Sequence, residues 1–235
     1  MDSEIKGYIF DYGGTLDTCG NHWGKVLWHA YERQKVPVSE EQFREAYVYA
    51  ERTLGRNPIV LPTYTFKKLL DVKLRLEMEY LFMKGYWTAD KNTYTKVELD
   101  MLNDLYEQVQ TTVAHSREVL MRLHERFPMV LVSNFYGNIP VVLQEFQLDR
   151  LFQKVVESAV VGIRKPDPRI FQVGVEALRL APEEVVVVGD SMTKDIIPAK
   201  QIGCQTVWFK GEGWTNQQED ETIPDRVITD LEEVG

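Results

Sequence analysis

The sequence predicts an α/β fold: a parallel sheet covered on both faces by helices, with a helical block inserted after the first strand. Three observations lead there. Short apolar runs at Gly7–Phe10, Met129–Val132 and Val185–Val188 lack polar alternation, as strands buried on both faces do. Helical periodicity separates the runs in the second half, and strands alternating with helices imply a parallel sheet. Residues 18 to about 113 read as helical, with no convincing strand.

Gly7–Phe10 is a short buried strand that ends on Asp11, and Gly13 and Gly14 then let the backbone turn and approach a ligand closely. Ligands in open α/β folds sit at the carboxyl ends of the strands, where Asp11 stands. Two readings fit this stretch on its own. Asp11 is a metal ligand or a nucleophile toward phosphorus, or it starts a turn that the glycines shape.

Trp23, Val26, Leu27, Ala30 and Tyr31 then recur at helical spacing, and Pro37–Ser39 breaks the pattern. Ser39 and Gln42 form a capping box for a helix carrying Phe43, Ala46, Tyr47, Ala50 and Leu54, closed by Gly55–Pro58. A third helix, about Thr63 to Lys84, carries Phe66, Leu69, Leu70, Leu74, Leu76, Met78, Leu81 and Phe82. A fourth, about Lys96 to Gln110, carries Leu99, Leu102, Leu105, Tyr106 and Val109. Four amphipathic helices with short connections suggest a small bundle. Trp23, Trp28, Tyr47, Phe66 and Phe82 are expected in its core rather than around a cofactor.

After His115 the pattern changes, and Ser116 is expected to cap a new helix through Leu123. The strand Met129–Val132 ends on Ser133 and Asn134. A helix at about Ile139–Phe146 and a weaker strand near Val155–Glu157 follow. Prolines make Ile163–Pro168 a loop. Then come a helix at Ile170–Leu180, the strand Val185–Val188 running into Gly189-Asp190-Ser191, and a helix at about Lys194–Ile202. A strand at Thr206–Phe209, a loop at Gly211–Pro224 with at most a helical turn, and a short strand at Val227–Ile228 complete the chain.

The 235 residues are enough to bury a substantial core, and 27 basic against 36 acidic residues give a net charge of −9. That balance does not suit a nucleic-acid or phospholipid surface. Cys19 and Cys204 are far apart and lack metal-type spacing, which favours a reducing compartment. Met1–Lys6 is polar and passes directly into the first strand, so no signal peptide is expected. No apolar run approaches the roughly 20 residues that span a bilayer. The expectation is a cytoplasmic protein, monomeric by default.

Four strand ends carry chemistry in one order: Asp11, Ser133-Asn134, Lys165, and Asp190 with Asp195. Sharing one edge of the sheet, the three aspartates would supply the oxygen ligands that Mg²⁺ prefers. Lys165, the Ser133 hydroxyl and the Asn134 amide would face the oxygens of a phosphoryl group. Each has a plain alternative alone: Asp190 caps a helix, Asp195 is a first-turn acid, Lys165 is exposed.

The set resembles the haloacid dehalogenase superfamily, most of whose members are Mg²⁺-dependent phosphatases. Asp11-Tyr12-Gly13-Gly14-Thr15 matches its first motif, Ser133 its second, Lys165 in a Lys-Pro-Asp-Pro context its third, and Asp190 with Asp195 its fourth. The resemblance covers the whole chain. It implies a Rossmann-like core, about residues 1–17 plus 112–235, and a mobile helical cap from about 18 to 111. It also implies attack by Asp11 on a small phosphorylated substrate, giving an aspartyl-phosphate that water hydrolyses. Asp11, Asp190 and the Gly13 carbonyl would hold the metal. Lys165 would favour ionised Asp11 and share the phosphate charge, and Asp195 would orient the metal's water shell or Lys165.

One departure matters. The family's phosphatases have a second Asp two residues after the nucleophile, as acid and base, and here that residue is Gly13. General acid–base catalysis contributes ~10²–10⁴ in rate, so simple alkyl phosphates should turn over slowly unless another group helps. Asp17 is expected to tie down the turn; His22 and Lys25 are the cap residues that could reach in. The alternatives are a catalytically degenerate member that binds a phosphorylated ligand or a protein, a dehalogenase, or a phosphonatase using a cap lysine such as Lys25, Lys67 or Lys68.

Overall fold

A computed structural model describes residues 4–215 and 218–235. Met1–Ser3 of the polar N-terminus, and Asn216 and Gln217 of the Gly211–Pro224 loop, lie outside the described residues. The chain forms β1 (Gly7–Phe10), α1 (Trp23–Arg33), α2 (Glu40–Arg56), α3 (Phe66–Met83), α4 (Lys91–His124), β2 (Met129–Ser133) and α5 (Ile139–Glu145). It continues with β3 (Lys154–Glu157), α6 (Ser158–Val161), α7 (Arg169–Leu178), β4 (Val185–Gly189), α8 (Ile197–Gln201), β5 (Gln205–Phe209) and β6 (Arg226–Ile228).

The six strands form one parallel sheet, β3-β2-β1-β4-β5-β6. β1 lies between β2 and β4, where the winding reverses; a crevice opens at such a point. Side chains alternate across β1. Ile9 packs with Val130, Val132, Val187 and Phe171 of α7 on one face. Tyr8 and Phe10 join Leu131, Val188 and the Leu120 and Leu123 side chains of α4 on the other. All positions of β1, β2 and β4 are buried, which explains their uninterrupted apolar sequences.

No strand occurs among residues 18–113. Ser39 and Gln42 form the expected reciprocal cap, at 3.2 Å and 2.9 Å. Thr65 caps α3 and Asp90 caps α4. The helical end of the chain differs from expectation in two ways. The fourth helix and the helix assigned to Ser116 are one continuous helix, α4, of 34 residues. Ser116 lies inside it and donates from Oγ to the Leu16 carbonyl at 2.8 Å, fastening α4 to the turn after β1. Position 112 falls inside this helix, with no loop there. Phe82 and Leu99, expected in the bundle interior, are 46% and 53% exposed. The helix expected from Lys194 begins as a wide turn over Met192–Ile196, in which Ile196 N–H donates to the Ser191 carbonyl five residues back.

Candidate active site

The register brings the strand ends level. Phe10 pairs with Leu131 and Val188, so Asp11 emerges beside Ser133 and the Gly189-Asp190 turn. Gly189 and Gly14 permit the crowding that follows. A Cβ at Gly189 would lie 2.4 Å from the Asp195 Cβ, and one at Gly14 2.5 Å from the Asp190 carboxyl; Gly14 also has φ +99°.

Lys165 lies at the centre, its Nζ 2.7 Å from Asp11 Oδ1 and 2.6 Å from Asp195 Oδ1, and all three side chains are buried. Asp195 Oδ2 accepts from the Ser191 N–H at 3.1 Å, so both of its oxygens are engaged. Asp190 Oδ1 accepts from the Thr15 hydroxyl at 3.0 Å, and the Trp208 indole fixes the Asp190 carbonyl at 2.8 Å. Ser133 is buried and lines the same cavity. Asn134 has a structural task that the sequence did not suggest. Its Oδ1 accepts from the Lys165 N–H at 2.9 Å and its Nδ2 donates to the Lys165 carbonyl at 3.1 Å. With that amide pair Asn134 clamps the loop that aims Lys165, while standing on the wall of the same cavity as Ser133.

One oxygen from each of Asp11, Asp190 and Asp195 lies within 4.8 Å of the others. Burial pushes the Asp190 carboxyl well above its ordinary range, reinforced by the Asp195 and Asp11 charges. Burial raises Asp195 to about 6, against the pull of Lys165. Burial also opposes the Lys165 charge, but Asp11 and Asp195 outweigh it and keep the ammonium protonated. Three carboxylates against one ammonium leave excess negative charge in a buried site. Hard oxygen donors in that number and sign fit a divalent cation.

A cavity of about 140 Å³ separates this edge from the helices. Its helical wall includes Trp23, Phe66 and a buried polar group. In that group Lys73 Nζ is 2.6 Å from Glu51 Oε1, and the Tyr136 hydroxyl donates to Glu51 Oε2 at 3.0 Å. Glu77 lies behind them, fully buried, with burial raising it to about 8. Arg164 and Lys194 also line the cavity. Of these, Lys73, Glu51, Glu77, Tyr136, Arg164 and Lys194 were not singled out from the sequence. The signal was there: Lys73 and Glu77 fall on the apolar stripe of Phe66, Leu70, Leu74 and Leu81, and Glu51 on that of Tyr47 and Leu54. Charge on a buried stripe needs a reason.

His22 lines the cavity, caps α1 by accepting from the Gly24 N–H at 3.0 Å, and stacks on Trp214 at 5.1 Å. Burial, then the Lys194 charge, lowers its imidazole to about 4. Lys25 is turned away, paired with Glu40 at 2.9 Å and Glu212 at 3.7 Å. Lys67 bonds Asn103 and Lys68 bonds Asp71, so neither joins the cavity. Asp17 ties down the turn as expected, accepting from the Gly14 N–H at 2.7 Å and the Trp23 indole at 3.0 Å. Burial raises it to about 7. Gly13 faces open space: a Cβ there would meet nothing nearer than Trp23 Cδ1 at 4.0 Å.

A family model for haloacid dehalogenase-like hydrolases matches residues 5–203. The chain is 41% identical over 86 residues to a glyceraldehyde 3-phosphate phosphatase of Pyrococcus furiosus, covering 36% of each chain, so the match spans about a third of that relative. It is 30% identical over 208 residues to a phosphoglycolate phosphatase of Vibrio cholerae, covering 85% of this chain and 82% of that one. The fold is similar to that of a magnesium-bound HAD-hydrolase, YfnB, of Bacillus subtilis, with a TM-score of 0.60 at 17% identity over 99% of this chain and 97% of that one. Among the described residues, no helix is long and apolar enough to cross a membrane.

Proposed function

Because the chain belongs to the haloacid dehalogenase-like hydrolase family, we propose that it is a magnesium-dependent phosphatase acting on a small phosphorylated metabolite. The observation that carries this reading is the Lys165 ammonium 2.7 Å from the Asp11 carboxylate, beside the Asp190 and Asp195 carboxyls. Asp11 is the nucleophile: one oxygen attacks phosphorus while Lys165 keeps the carboxylate ionised and balances the phosphoryl charge. Ser133, buried on the cavity wall, donates to a phosphoryl oxygen. Asn134 and Asp195 position Lys165. Asp11, Asp190 and the Gly13 carbonyl would hold magnesium, which when bound neutralises charge on the transferring group. Water then cleaves the aspartyl-phosphate.

Residues about 18–111 act as a cap, with the leaving group enclosed between them and the sheet edge. Two unbridged cysteines suit a cytoplasmic setting. The relatives named as phosphatases support the reaction class, and the acid pair Asp190 and Asp195 favours it over dehalogenation. The test is phosphate release from phosphorylated metabolites, p-nitrophenyl phosphate and acetyl phosphate, with and without Mg²⁺. Magnesium-dependent release abolished by Asp11→Asn supports the reading. Gly13 favours a second reading, a ligand-binding member without turnover, and silence with every ester would select it.

A further inference from the structure

With no carboxyl at position 13, the leaving oxygen needs a proton from elsewhere in the cavity. His22 is neutral near pH 7 and has no imidazolium proton to give. Asp17 has both oxygens engaged by Gly14 and Trp23. Lys165 is held by Asp11 and Asp195. Arg164 and Lys194 are exposed. Lys73 is different: 8% exposed and on the helical wall, opposite the nucleophile. Its Nζ is 5.7 Å from the centre of the Trp23 ring, and the same ring has its Cδ1 4.0 Å from where a Gly13 Cβ would stand. The same indole therefore borders both the vacant acid position and the lysine, on the wall of one cavity.

We propose that Lys73 is a catalytic residue that protonates the leaving group, filling the role that Gly13 cannot, and this rests on the phosphatase reading above. Buried ion pairs are often no more stable than apolar replacements of similar size. Keeping Lys73, Glu51 and Glu77 on buried stripes beside the cavity is therefore poorly explained by stability alone. Glu51, itself anchored by Tyr136, keeps the amine charged. That state donates a proton and cannot form an imine with a carbonyl substrate. As the Asp11 oxygen bonds phosphorus and the ester P–O bond breaks, one Nζ proton passes to the departing oxygen, which leaves as the alcohol. Lys73 is then a neutral amine. When water attacks the aspartyl-phosphate, its proton returns to Lys73, the Asp11–phosphorus bond breaks, and phosphate leaves.

The test compares benzyl phosphate with p-nitrophenyl phosphate in Mg²⁺, for wild type, Lys73→Met, Lys73→Arg and the neutral pair Glu51→Gln/Lys73→Met. The two groups are similar in size, but benzyl leaves as an alkoxide far more basic than a lysine amine and needs the proton, whereas p-nitrophenolate leaves without it. Loss of proton donation should lower kcat/KM about 10²-fold on benzyl phosphate and less than about tenfold on p-nitrophenyl phosphate in both methionine variants. Lys73→Arg keeps the charge but holds its proton, and should show the same selective loss. Equal losses on both esters, or wild-type rates for Lys73→Arg, overturn the proposal. So does a wild type active only on p-nitrophenyl phosphate. Thermal melts identify misfolded variants, and the neutral pair avoids stranding Glu51. Absence of any Asp11-dependent hydrolysis in wild type would instead refute the phosphatase reading beneath it.

Discussion

Replacing Gly13 by Asp restores a carboxyl where the structure leaves room for one. Gly13 is not among the glycines with positive φ, and its Cβ would make no contact closer than 4.0 Å. The substitution therefore adds no left-handed backbone strain, and its Cβ meets no clash. Asp11 and Asp17 lie close by, and their charges favour the protonated form that a proton donor needs. A positioned general acid contributes ~10²–10⁴ in rate, or about 3–5 kcal/mol of barrier. With Lys73 already donating, the gain should fall at the low end, about 10²-fold in kcat/KM on glycerol 3-phosphate. On p-nitrophenyl phosphate, which needs little help in leaving, the change should stay below about tenfold. Phosphate release at saturating Mg²⁺ measures both. A folded Gly13→Asp protein with no gain on the alkyl ester would refute the idea that a missing acid limits turnover. Adding Gly13→Asp to Lys73→Met should recover much of the activity lost by the lysine change.

Three further outcomes are expected. Asp11→Asn should reduce p-nitrophenyl phosphate hydrolysis by about 10³-fold or more, and appreciable residual magnesium-dependent turnover would remove Asp11 as the nucleophile. Lys165→Met strands Asp11 and Asp195 without their cation, a loss of about 3–5 kcal/mol, or roughly 6–20 °C in Tm. Scanning calorimetry in EDTA should show that drop and millimolar Mg²⁺ should recover part of it; an unchanged Tm would contradict the charge balance described. Glu77 has a folded pKa of about 8 against 4.5 ordinarily. From about pH 4.5 to 8 the native state therefore holds a proton that the unfolded chain has lost, and stability falls as pH rises. Glu77→Gln removes that contribution, so its Tm should fall less between pH 5.5 and 8 than that of wild type. Parallel declines would show that Glu77 ionises freely.

Much of the core was legible because parallel strands buried on both faces leave an unmistakable apolar record, as at Val185–Val188. Asp11, Lys165 and Asp190 could be read because each follows such a run or sits in a proline-marked loop. What failed was local. Ser116 looks like a cap because serine usually has no reason to stand inside a helix, and the bond to Leu16 that supplies the reason crosses 100 positions. Asn134 sits beside a strand end where amides meet ligands, and only the fold shows that its amide also holds the Lys165 backbone. Phe82 and Leu99 keep helical spacing yet face out, since periodicity fixes a face but not what covers it. Lys73 was overlooked because leucines flank it; a charged residue in an apolar stripe is easily read as an interruption.

The unbroken α4 has one more consequence. At 1.5 Å per residue its 34 residues form a rod about 51 Å long, running from beneath the sheet into the layer that carries Lys73. Ser116 pins it, about three-quarters of the way along, to the turn that follows the nucleophile's strand. A swinging gate needs a supple joint at each attachment, and here one attachment is stiff. The rod lends no residue to the cavity wall, so its stiffness acts on how the neighbouring helices are held and not on what a ligand touches.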